Sequence, residues 1–362
     1  IVHALLPVFL TTTLGASVAA VGVIDGVAEA TASISKVFSG WLSDRFHRRK
    51  PLILLGYGLA ALAKPLFPLA SGPSLVLAAR FMDRIGKGLR GAPRDALIAD
   101  ATSLEIRGRA YGLRQALDTA GALAGPLAAI GLMALSSDNI PLVFWVAVIP
   151  AWLAVAAVLI GVREAPHSSR QPAPPLRLGD IRRLGRPFLP VLTIGVLFAM
   201  ARFSEAFLVL RAVGEGLSLT LAPLAFAAMN AVYALGAYPA GALADRWRAR
   251  DLLLAGLGVL ILADLVLAFP PGLAGVFSGV ALWGAHMALT QGLLSKLVAA
   301  SAPDDLRASA FGVFNLASGL AALLASIFAG LAWTTLSPGA TFLIGAGFSA
   351  LALPLVYFAR GR

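Results

Sequence analysis

The chain has 362 residues, of which 59% are hydrophobic and 13% are charged, and its formal net charge is +11. Water-soluble proteins carry about 25% charged residues, so this chain has too few polar residues to form the surface of a water-soluble protein. A helix of about 20 apolar residues crosses a bilayer core, and the alternating pattern of a membrane β-barrel is absent from the sequence. The composition therefore predicts an all-α polytopic membrane protein.

Twelve mostly apolar segments predict twelve helices, with six in each half of the chain. The breaks between them are rich in Gly, Pro and Ser, which favour turns. The predicted helices are α1 (1–13), α2 (17–42), α3 (51–70), α4 (74–98), α5 (108–134), α6 (140–162), α7 (187–212), α8 (218–243), α9 (251–270), α10 (273–299), α11 (307–334) and α12 (338–359). We expect α1 to be a truncated first helix rather than a signal peptide, because no basic n-region or cleavage site accompanies it.

The longest break, 163–186, is rich in Pro, Ser and Arg. It is predicted to be a flexible linker between an N-terminal bundle (1–162) and a C-terminal bundle (187–362). Lys and Arg are concentrated in the loops after α2, α4, α6, α8 and α10 and at the C-terminus, and the opposite loops contain none. By the positive-inside rule, the linker and the C-terminus are predicted to be cytoplasmic. The basic charge is thus explained by topology, and we expect no nucleic-acid partner.

Two pairs of similar segments repeat at nearly the same offset. Gly40–Lys50 (GWLSDRFHRRK) matches Gly241–Asp251 (GALADRWRARD), and Glu105–Gly112 (EIRGRAYG) matches Asp305–Gly312 (DLRASAFG). Two landmarks that repeat together indicate two similar halves. In an apolar chain, parallel halves of this kind favour a transporter that rocks one half against the other.

The first repeated segment resembles the loop 2–3 signature of the major facilitator superfamily. Its signature positions are filled by Gly40, Asp44, Arg45, Arg48 and Arg49, and a weaker second copy is filled by Gly241, Asp245 and Arg246. Arg80–Gly88 (RFMDRIGKG) resembles the superfamily's α4 motif. Gly121–Pro126 (GALAGP) resembles an α5 motif of its proton-driven exporters, although the usual following glycine pair is replaced by Ala128 and Ala129.

This resemblance covers the whole chain and implies the superfamily fold of two six-helix bundles. It further implies a monomer in a bacterial inner (plasma) membrane, with lipid and a small-molecule substrate as its partners. The resemblance also implies that Asp44 faces the N-terminus of α11, near Arg307, where a carboxylate is favoured and can act as a cytoplasmic gate. The alternative is that the loop signature only anchors the topology.

Charged residues within the predicted helices mark the candidate substrate or coupling site, because a charge inside a bilayer is costly and needs a partner or a water-filled path. On α4, six residues fall within an arc of about 120°: Arg80, Asp83, Arg84, Lys87, Arg90 and Arg94. We expect Arg80 or Arg84 to contact substrate or a coupling network. Asp83 is expected to pair with Arg80 or Lys87, while Arg90 and Arg94 lie where they can snorkel.

On α2, Asp25 and Glu29 lie one turn apart on one line. Two carboxylates at this distance repel when both are ionised, which favours proton coupling. The alternative is that they are counter-ions for α4 or α5. On α5, Arg114 and Asp118 can pair with each other or across helices, and Gly121 and Gly125 on the same face favour close packing.

The remaining candidates lie in the C-terminal half. Arg202 and Glu205 share a face of α7, and Glu205 is a candidate for protonation. His286 and Gln291 are predicted near the middle of α10, where His286 either handles substrate or protons or is a satisfied hydrogen-bonding residue. Lys64 and Asp264 belong to the peripheral helices α3 and α9 and are predicted to be lipid-interface or packing charges.

The sequence contains no P-loop, nucleophile elbow or H-E-x-x-H motif, so we expect neither an ATP-driven pump nor an enzyme, and no cofactor. The favoured interpretation is a secondary active, proton-coupled transporter. An excess of basic residues in the helices favours an anionic or zwitterionic solute, and the resemblance of Gly121–Pro126 to the exporter motif slightly favours export. Three alternatives stay open. One is a divalent metal transporter in which Asp25, Glu29, Glu205 and His286 converge, and the others are a cationic drug transporter and a non-transporting sensor or scaffold.

Overall fold

The computed structural model describes residues 1–46, 49–103, 107–162, 184–269, 272–301 and 307–358. These residues are almost entirely helical and contain no strand. All but the last three residues of the predicted linker 163–186 lie outside this part of the chain, so its role as a domain boundary stays a prediction.

All twelve predicted helices are present, which confirms the all-α polytopic fold. Their bounds are α1 Val2–Val8 with a π-helical turn Phe9–Thr13, α2 Val18–Phe46, α3 Lys50–Ala63 with a 3-10 turn Lys64–Leu66, α4 Pro73–Ala101, α5 Arg107–Leu135, α6 Ile140–Gly161, α7a Gly185–Ala201, α7b Ala206–Gly214, α8 Leu224–Arg246 after a 3-10 turn Leu219–Leu221, α9 Ala249–Ala268, α10 Gly272–Ser301, α11 Arg307–Thr335 and α12 Pro338–Phe358.

Within the described residues, nine candidate spans are long and apolar enough to cross a membrane. The other three helices fall short for different reasons. The α1 segment is apolar but short, α3 has only 14 residues, and α4 carries the dense row of charges found in the sequence. Charge in α4 is tolerated because this helix is packed against protein on two sides.

Two glycines of the α4 motif explain this packing. A Cβ on Gly86 would lie 3.1 Å from the backbone nitrogen of Ala60 in α3, and a Cβ on Gly88 would lie 2.9 Å from the carbonyl oxygen of Ala32 in α2. Residues two apart on a helix point to nearly opposite sides. The G-x-G spacing therefore lets α4 approach α2 and α3 at the same depth, and the Ser39 hydroxyl donates to the Gly88 carbonyl at 2.9 Å.

The two halves of the chain meet along α2 and α11, which cross closely through small residues. A Cβ on Gly26 would lie 2.9 Å from the carbonyl oxygen of Leu323, and a Cβ on Gly330 would lie 2.9 Å from the Cα of Ala19. Further contacts between the halves join α5 to α8 and α1 to α7b.

The seventh helix differs from the prediction of one continuous helix over 187–212. It is broken between Ala201 and Ala206, so that Arg202, Ser204 and Glu205 lie in a non-helical segment. Just before the second half-helix, the Ser204 hydroxyl accepts a hydrogen bond from the Ala206 backbone N–H at 3.1 Å, which satisfies one of the first N–H groups that lack a helical partner. A broken helix at membrane depth is tolerated where it is buried in protein or lines a cavity.

The glycine packing predicts a difference between two alanine substitutions on α4. Gly91 has open space beside it. Gly91→Ala should therefore stabilise the fold by about 1 kcal/mol, which is the difference in helix propensity between Ala and Gly. Gly88→Ala should instead lower the melting temperature in detergent, because the new methyl group overpacks the contact with α2. Thermal unfolding of both variants beside the unmodified protein measures this, and equal melting temperatures for the two variants would contradict the packing argument.

Candidate functional site

Charged and polar side chains gather where α2 and α4 face the break in the seventh helix. We call this group the central cluster, and it consists of His3, Asp25, Glu29, Arg80, Arg84, Lys87, Arg202, Ser204 and Glu205. It draws on both halves of the chain, since the last three residues belong to the C-terminal half. A cluster of this kind between the halves is a candidate binding site for a polar ligand.

Asp25 connects the two halves. Its side chain is buried, and one carboxylate oxygen forms a short ion pair with the buried Arg80 guanidinium. The second oxygen accepts a hydrogen bond from the Ser204 hydroxyl at 2.7 Å. Ser204 is held in turn by Ser326 of α11, whose hydroxyl accepts the Ser204 backbone N–H at 3.2 Å. Sequence analysis missed Ser204 and Ser326, because an isolated serine in an apolar helix gives no signal.

Glu29 has its own counter-ion. Its carboxylate lies 3.1 Å from the Arg84 guanidinium, and the Glu29 side chain is 47% exposed whereas that of Arg84 is only 9% exposed. The repulsion predicted between Asp25 and Glu29 is therefore offset, because each carboxylate is paired with a different arginine of α4. The geometry favours the alternative in which the two acids of α2 are counter-ions for α4.

Lys87 stands apart from these pairs. Its side chain is exposed. Within the described residues, no carboxylate lies within ion-pair distance of its ammonium group. The charged groups that act on it most strongly are Glu29 and Arg84. Asp25, Glu29 and Glu205 face Arg80, Arg84, Arg202 and Lys87, which leaves one positive charge in excess. A spare cation beside a half-exposed ion pair is suited to an anionic group on a ligand.

The break in the seventh helix contributes a loose ion pair. The Arg202 guanidinium lies 3.9 Å from the Glu205 carboxylate, and the two side chains are 25% and 27% exposed. Glu29 and Lys87 also lie within electrostatic reach of Glu205, although they belong to the other half. A long, partly open pair can exchange partners at little cost.

His3 is a further member that sequence analysis missed. Its Nδ1 lies 3.2 Å from an Arg80 nitrogen, and its ring centroid lies 4.9 Å from that of Phe226 in α8. His3 therefore contacts both halves of the chain. The signal available in the sequence was a single polar residue in the short α1 segment.

Asp83 does not pair with Arg80 or Lys87, so that prediction is wrong. It binds Lys64 of α3 at 2.7 Å and lies 3.8 Å from Arg84. Lys64 is consequently an internal ion-pair partner and not a lipid-interface charge. The pair lines a cavity of about 160 Å³ between α3, α4 and α6, together with Tyr57 and Arg90.

Arg90 and Arg94 contact protein rather than snorkelling freely. The Arg90 guanidinium lies 4.4 Å from the ring centroid of Tyr57, which is cation–π geometry. Arg94 takes part in a network between α4 and α5, where its guanidinium lies 3.6 Å from both Asp95 and Asp118.

Both predicted alternatives for Arg114 and Asp118 occur together. Arg114 binds Asp118 at 2.9 Å on the same helix and reaches Asp95 of α4 at 3.5 Å. The expected close packing fails at Gly121, which has open space on its Cβ side. A Cβ on Gly125 would lie 3.1 Å from the backbone nitrogen of Ile1.

His286 bonds outside the central cluster, although Arg202 of the cluster lies within its electrostatic reach. It is fully buried, its Nδ1 is 2.7 Å from the Gly256 carbonyl of α9, and its ring stacks near Phe198. The predicted convergence of Asp25, Glu29, Glu205 and His286 is therefore wrong. In the part of the chain that the structure describes, no three His, Cys, Asp or Glu residues could hold a metal ion together.

The gate predicted from the repeated loop signature stays a prediction. The structure confirms that α11 begins at Arg307 and packs against α2. Arg48 and the side chains of Asp44, Arg45, Asp245, Arg246 and Gln291 lie outside what the structure describes. The remaining residues of the signature are Gly40, Arg49 and Gly241, and they do not test the gate on their own.

Comparisons with known proteins agree with this architecture. The family model of the Major Facilitator Superfamily matches residues 1–326 and 192–362. The MFS-type transporter MJ1317 of Methanocaldococcus jannaschii is 28% identical over 98% of this chain and 89% of its own length. The multidrug resistance protein MdtH of Proteus mirabilis is 37% identical over 32% of this chain and 30% of its own length. A crystal structure of a mutant nucleoside transporter NupG covers 99% of this chain and 95% of its own, with 13% identity and a TM-score of 0.83, which shows a shared fold.

The buried Asp25–Arg80 pair predicts non-additive effects on stability. Removing one partner of a buried ion pair costs about 3–5 kcal/mol, because the other charge stays buried without compensation. Asp25→Asn and Arg80→Gln should each lower the melting temperature strongly, and the double variant should lose less than the sum of the two. Asp118→Asn is the matched control, since its 45% exposed side chain belongs to a partly exposed pair whose contribution is about 0–1 kcal/mol. Strictly additive losses at Asp25 and Arg80 would contradict this assignment.

Proposed function

The chain belongs to the Major Facilitator Superfamily, and we propose that it is a secondary active transporter that moves a small solute across the membrane by alternating access. The observation that carries the proposal is the bond between Asp25 and Ser204. One carboxylate, anchored to Arg80 of its own half, is shared with the non-helical segment of the other half. Any rocking of the halves must change this contact, so a ligand that binds the central cluster can bias the conformational equilibrium.

Contacts near one end of the bundle support a state closed on that side. The Thr220 hydroxyl donates to the Asp138 carboxylate at 2.5 Å, which joins the loops before α6 and α8, and α1 packs on α7b. With the orientation predicted from the basic loops, this end is periplasmic. The linker and the C-terminus are then cytoplasmic, and the central cluster opens toward the cytoplasm when the Asp44 gate parts.

The charge balance of the central cluster supports an anionic or zwitterionic solute. Lys87 offers a cation without an ion-pair partner among the described residues, beside the Glu29–Arg84 pair. An anionic group can bind Lys87 and Arg84, while an ammonium group can bind the exposed face of Glu29. We place the transporter in a bacterial inner membrane as a monomer.

Proton coupling and export complete the proposal. Glu205 and Arg202 form the loosest pair of the cluster and lie in the break of the seventh helix, so protonation of Glu205 would release Arg202 for another partner. Export is supported by the resemblance of Gly121–Pro126 to the exporter motif and by the MdtH proteins that match about a third of the chain.

A second candidate is export of a cationic drug. It is favoured by the name of the MdtH relatives and by the half-exposed Glu29 carboxylate, which could bind a ligand cation in place of Arg84. The two candidates differ in the residue that the solute needs, since an anion requires Lys87 and a cation requires Glu29.

Proton flux in proteoliposomes that contain a pH dye tests the proposal. We expect glutamate or succinate to drive proton movement, and Lys87→Gln to raise the KM for these probes by about tenfold or more, since one charged contact to the solute is lost. Arg250→Gln is the matched control, because it removes one positive charge at the start of α9. Ethidium-driven flux that needs Glu29 and survives Lys87→Gln would select the cationic drug, and no flux with either class of probe would contradict the proposed function.

The loop signature predicts a separate transport defect. Asp44→Ala should abolish probe-driven proton flux with little change in melting temperature, because the gate contact acts on the equilibrium between two states and not on the packed core. Asp251→Ala, which removes an exposed carboxylate at the start of α9, should transport normally. Full transport by Asp44→Ala would remove the gate assignment and leave the signature as a topology anchor.

A further inference from the structure

Asp264 of α9 is a charged residue that the central cluster does not use. It is completely buried, and neither carboxylate oxygen has a hydrogen-bond partner among the described residues. It was predicted to be a lipid-interface or packing charge, and complete burial excludes the lipid interface. A buried carboxylate without partners costs several kcal/mol or more, so an unpaired group in a native fold calls for an explanation such as a bound ion.

Two further oxygen atoms belong to the elements near Asp264, one at the end of α7a and one on α12. A Cβ on Gly345 of α12 would lie 2.8 Å from Asp264 Oδ2, 2.9 Å from a ring carbon of Phe203 and 3.3 Å from the Ala201 carbonyl oxygen. The absence of a side chain at Gly345 thus lets α12 pack closely against two oxygens that belong to different helices. One turn further along α12, Ser349 is also fully buried, and its hydroxyl has no partner within the described residues.

Ala201 is the last residue of α7a. Its carbonyl lies at the C-terminal end of a half-helix, where the last carbonyl groups lack helical N–H partners and the helix dipole is negative. Carbonyl groups at the ends of broken helices are the groups that bind small cations in membrane transporters of other folds. The site therefore combines one formal negative charge with a partial one.

Among the side chains that the structure describes, the charged groups on the surrounding elements bind other partners. The Arg202 side chain pairs with Glu205, Arg211 binds Glu215 and the carbonyls of Leu267 and Phe269, and His286 bonds to Gly256. Within the described residues, neither oxygen of Asp264 has a hydrogen-bond or ion-pair partner. The counter-charge that Asp264 needs is thus not supplied by a side chain of the described chain.

We infer that Asp264, the Ala201 carbonyl and the Ser349 hydroxyl form a binding site for a monovalent cation, either a proton or Na⁺. A single carboxylate matches a single positive charge, and carboxylate, carbonyl and hydroxyl oxygens are the ligands that hard cations prefer. The cation neutralises Asp264 and ties α9 and α12 to the end of α7a. Because this inference concerns binding alone, it can succeed or fail independently of the proposed transport function.

The first arm of the test uses Na⁺ on the purified full chain in detergent. Melting temperature is measured while NaCl replaces N-methyl-D-glucamine chloride at constant pH and ionic strength. A ligand that binds only the folded state raises the melting temperature in a saturable way. If Na⁺ is the cation, the rise should be lost in Asp264→Asn, and Ser349→Ala should move its midpoint to about tenfold higher Na⁺.

The second arm detects a proton in the absence of Na⁺. Infrared spectra should show the C=O stretch of a protonated carboxyl group that disappears in Asp264→Asn and shifts in Ser349→Ala. Glu215→Gln is the control in both arms, because it removes one carboxylate from the same half without touching this site. Positive results in the first arm identify Na⁺, and positive results in the second identify a proton.

The inference is overturned if Asp264→Asn matches the unmodified protein in both arms. It is also overturned if Glu215→Gln removes the same signal, since the effect would then come from net charge. Should Asp264→Asn fail to fold, Ser349→Ala and Gly345→Ala decide the question, because each alters the surroundings of Asp264 while leaving the carboxylate in place. Unchanged Na⁺ and infrared responses in both of these variants would reject the site.

Discussion

The ion pair between Asp25 and Arg80 is the interaction on which the arrangement of the N-terminal half depends. Both side chains are buried at a depth where neither could stay charged alone, so α2 and α4 have to pack in the register that brings them together. The glycines at 86 and 88 make that register possible, because α4 must approach α3 and α2 at once. The remaining oxygen of Asp25 then reaches Ser204, so the same carboxylate that fixes one half also locates the other.

The two halves share a topology but divide the physical tasks. Charges of the central cluster are concentrated on α2 and α4, whereas the position in α8 that corresponds to Asp25 in the repeat is Phe226, which packs against His3. The C-terminal half instead supplies a broken helix surrounded by aromatic rings, with Phe203 lying 5.4 to 5.6 Å from Phe207, Trp283 and Phe342. The rigid rings hold the non-helical segment where its polar atoms face the N-terminal half. The N-terminal half thus supplies most of the charge, and the C-terminal half supplies the aromatic support.

Sequence reasoning recovered what depends on local pattern. Hydropathy and turn residues predicted the existence of all twelve helices, although α3 ends at Ala63 instead of 70 and α8 begins at Leu224 instead of 218. The helical arc on α4 predicted the basic side of the cluster. The predictions failed where the role of a side chain depends on which residue of another helix it contacts. Lys64 looked peripheral because its helix is peripheral, yet its long side chain reaches inward to Asp83. Gly121 looked like a packing residue but faces open space. The break in the seventh helix was not predicted, because Arg202 and Glu205 would also lie on one face of a continuous helix.

The strengths of the two bonds to Asp25 indicate how the halves can separate. A hydrogen bond from a neutral hydroxyl to a charged group contributes about 1.5–3 kcal/mol, while breaking the buried pair with Arg80 costs about 3–5 kcal/mol. In the proposed alternating access, movement of the C-terminal half would therefore break the bond to Ser204 first and leave the ion pair intact. Asp25 then presents one free oxygen to the space between the halves, beside Glu29 and Lys87. In the proposed transporter, the ammonium group of a zwitterionic solute would donate to this oxygen in place of Ser204 and so stabilise the separated state, which would couple binding to movement without disturbing the folded N-terminal half.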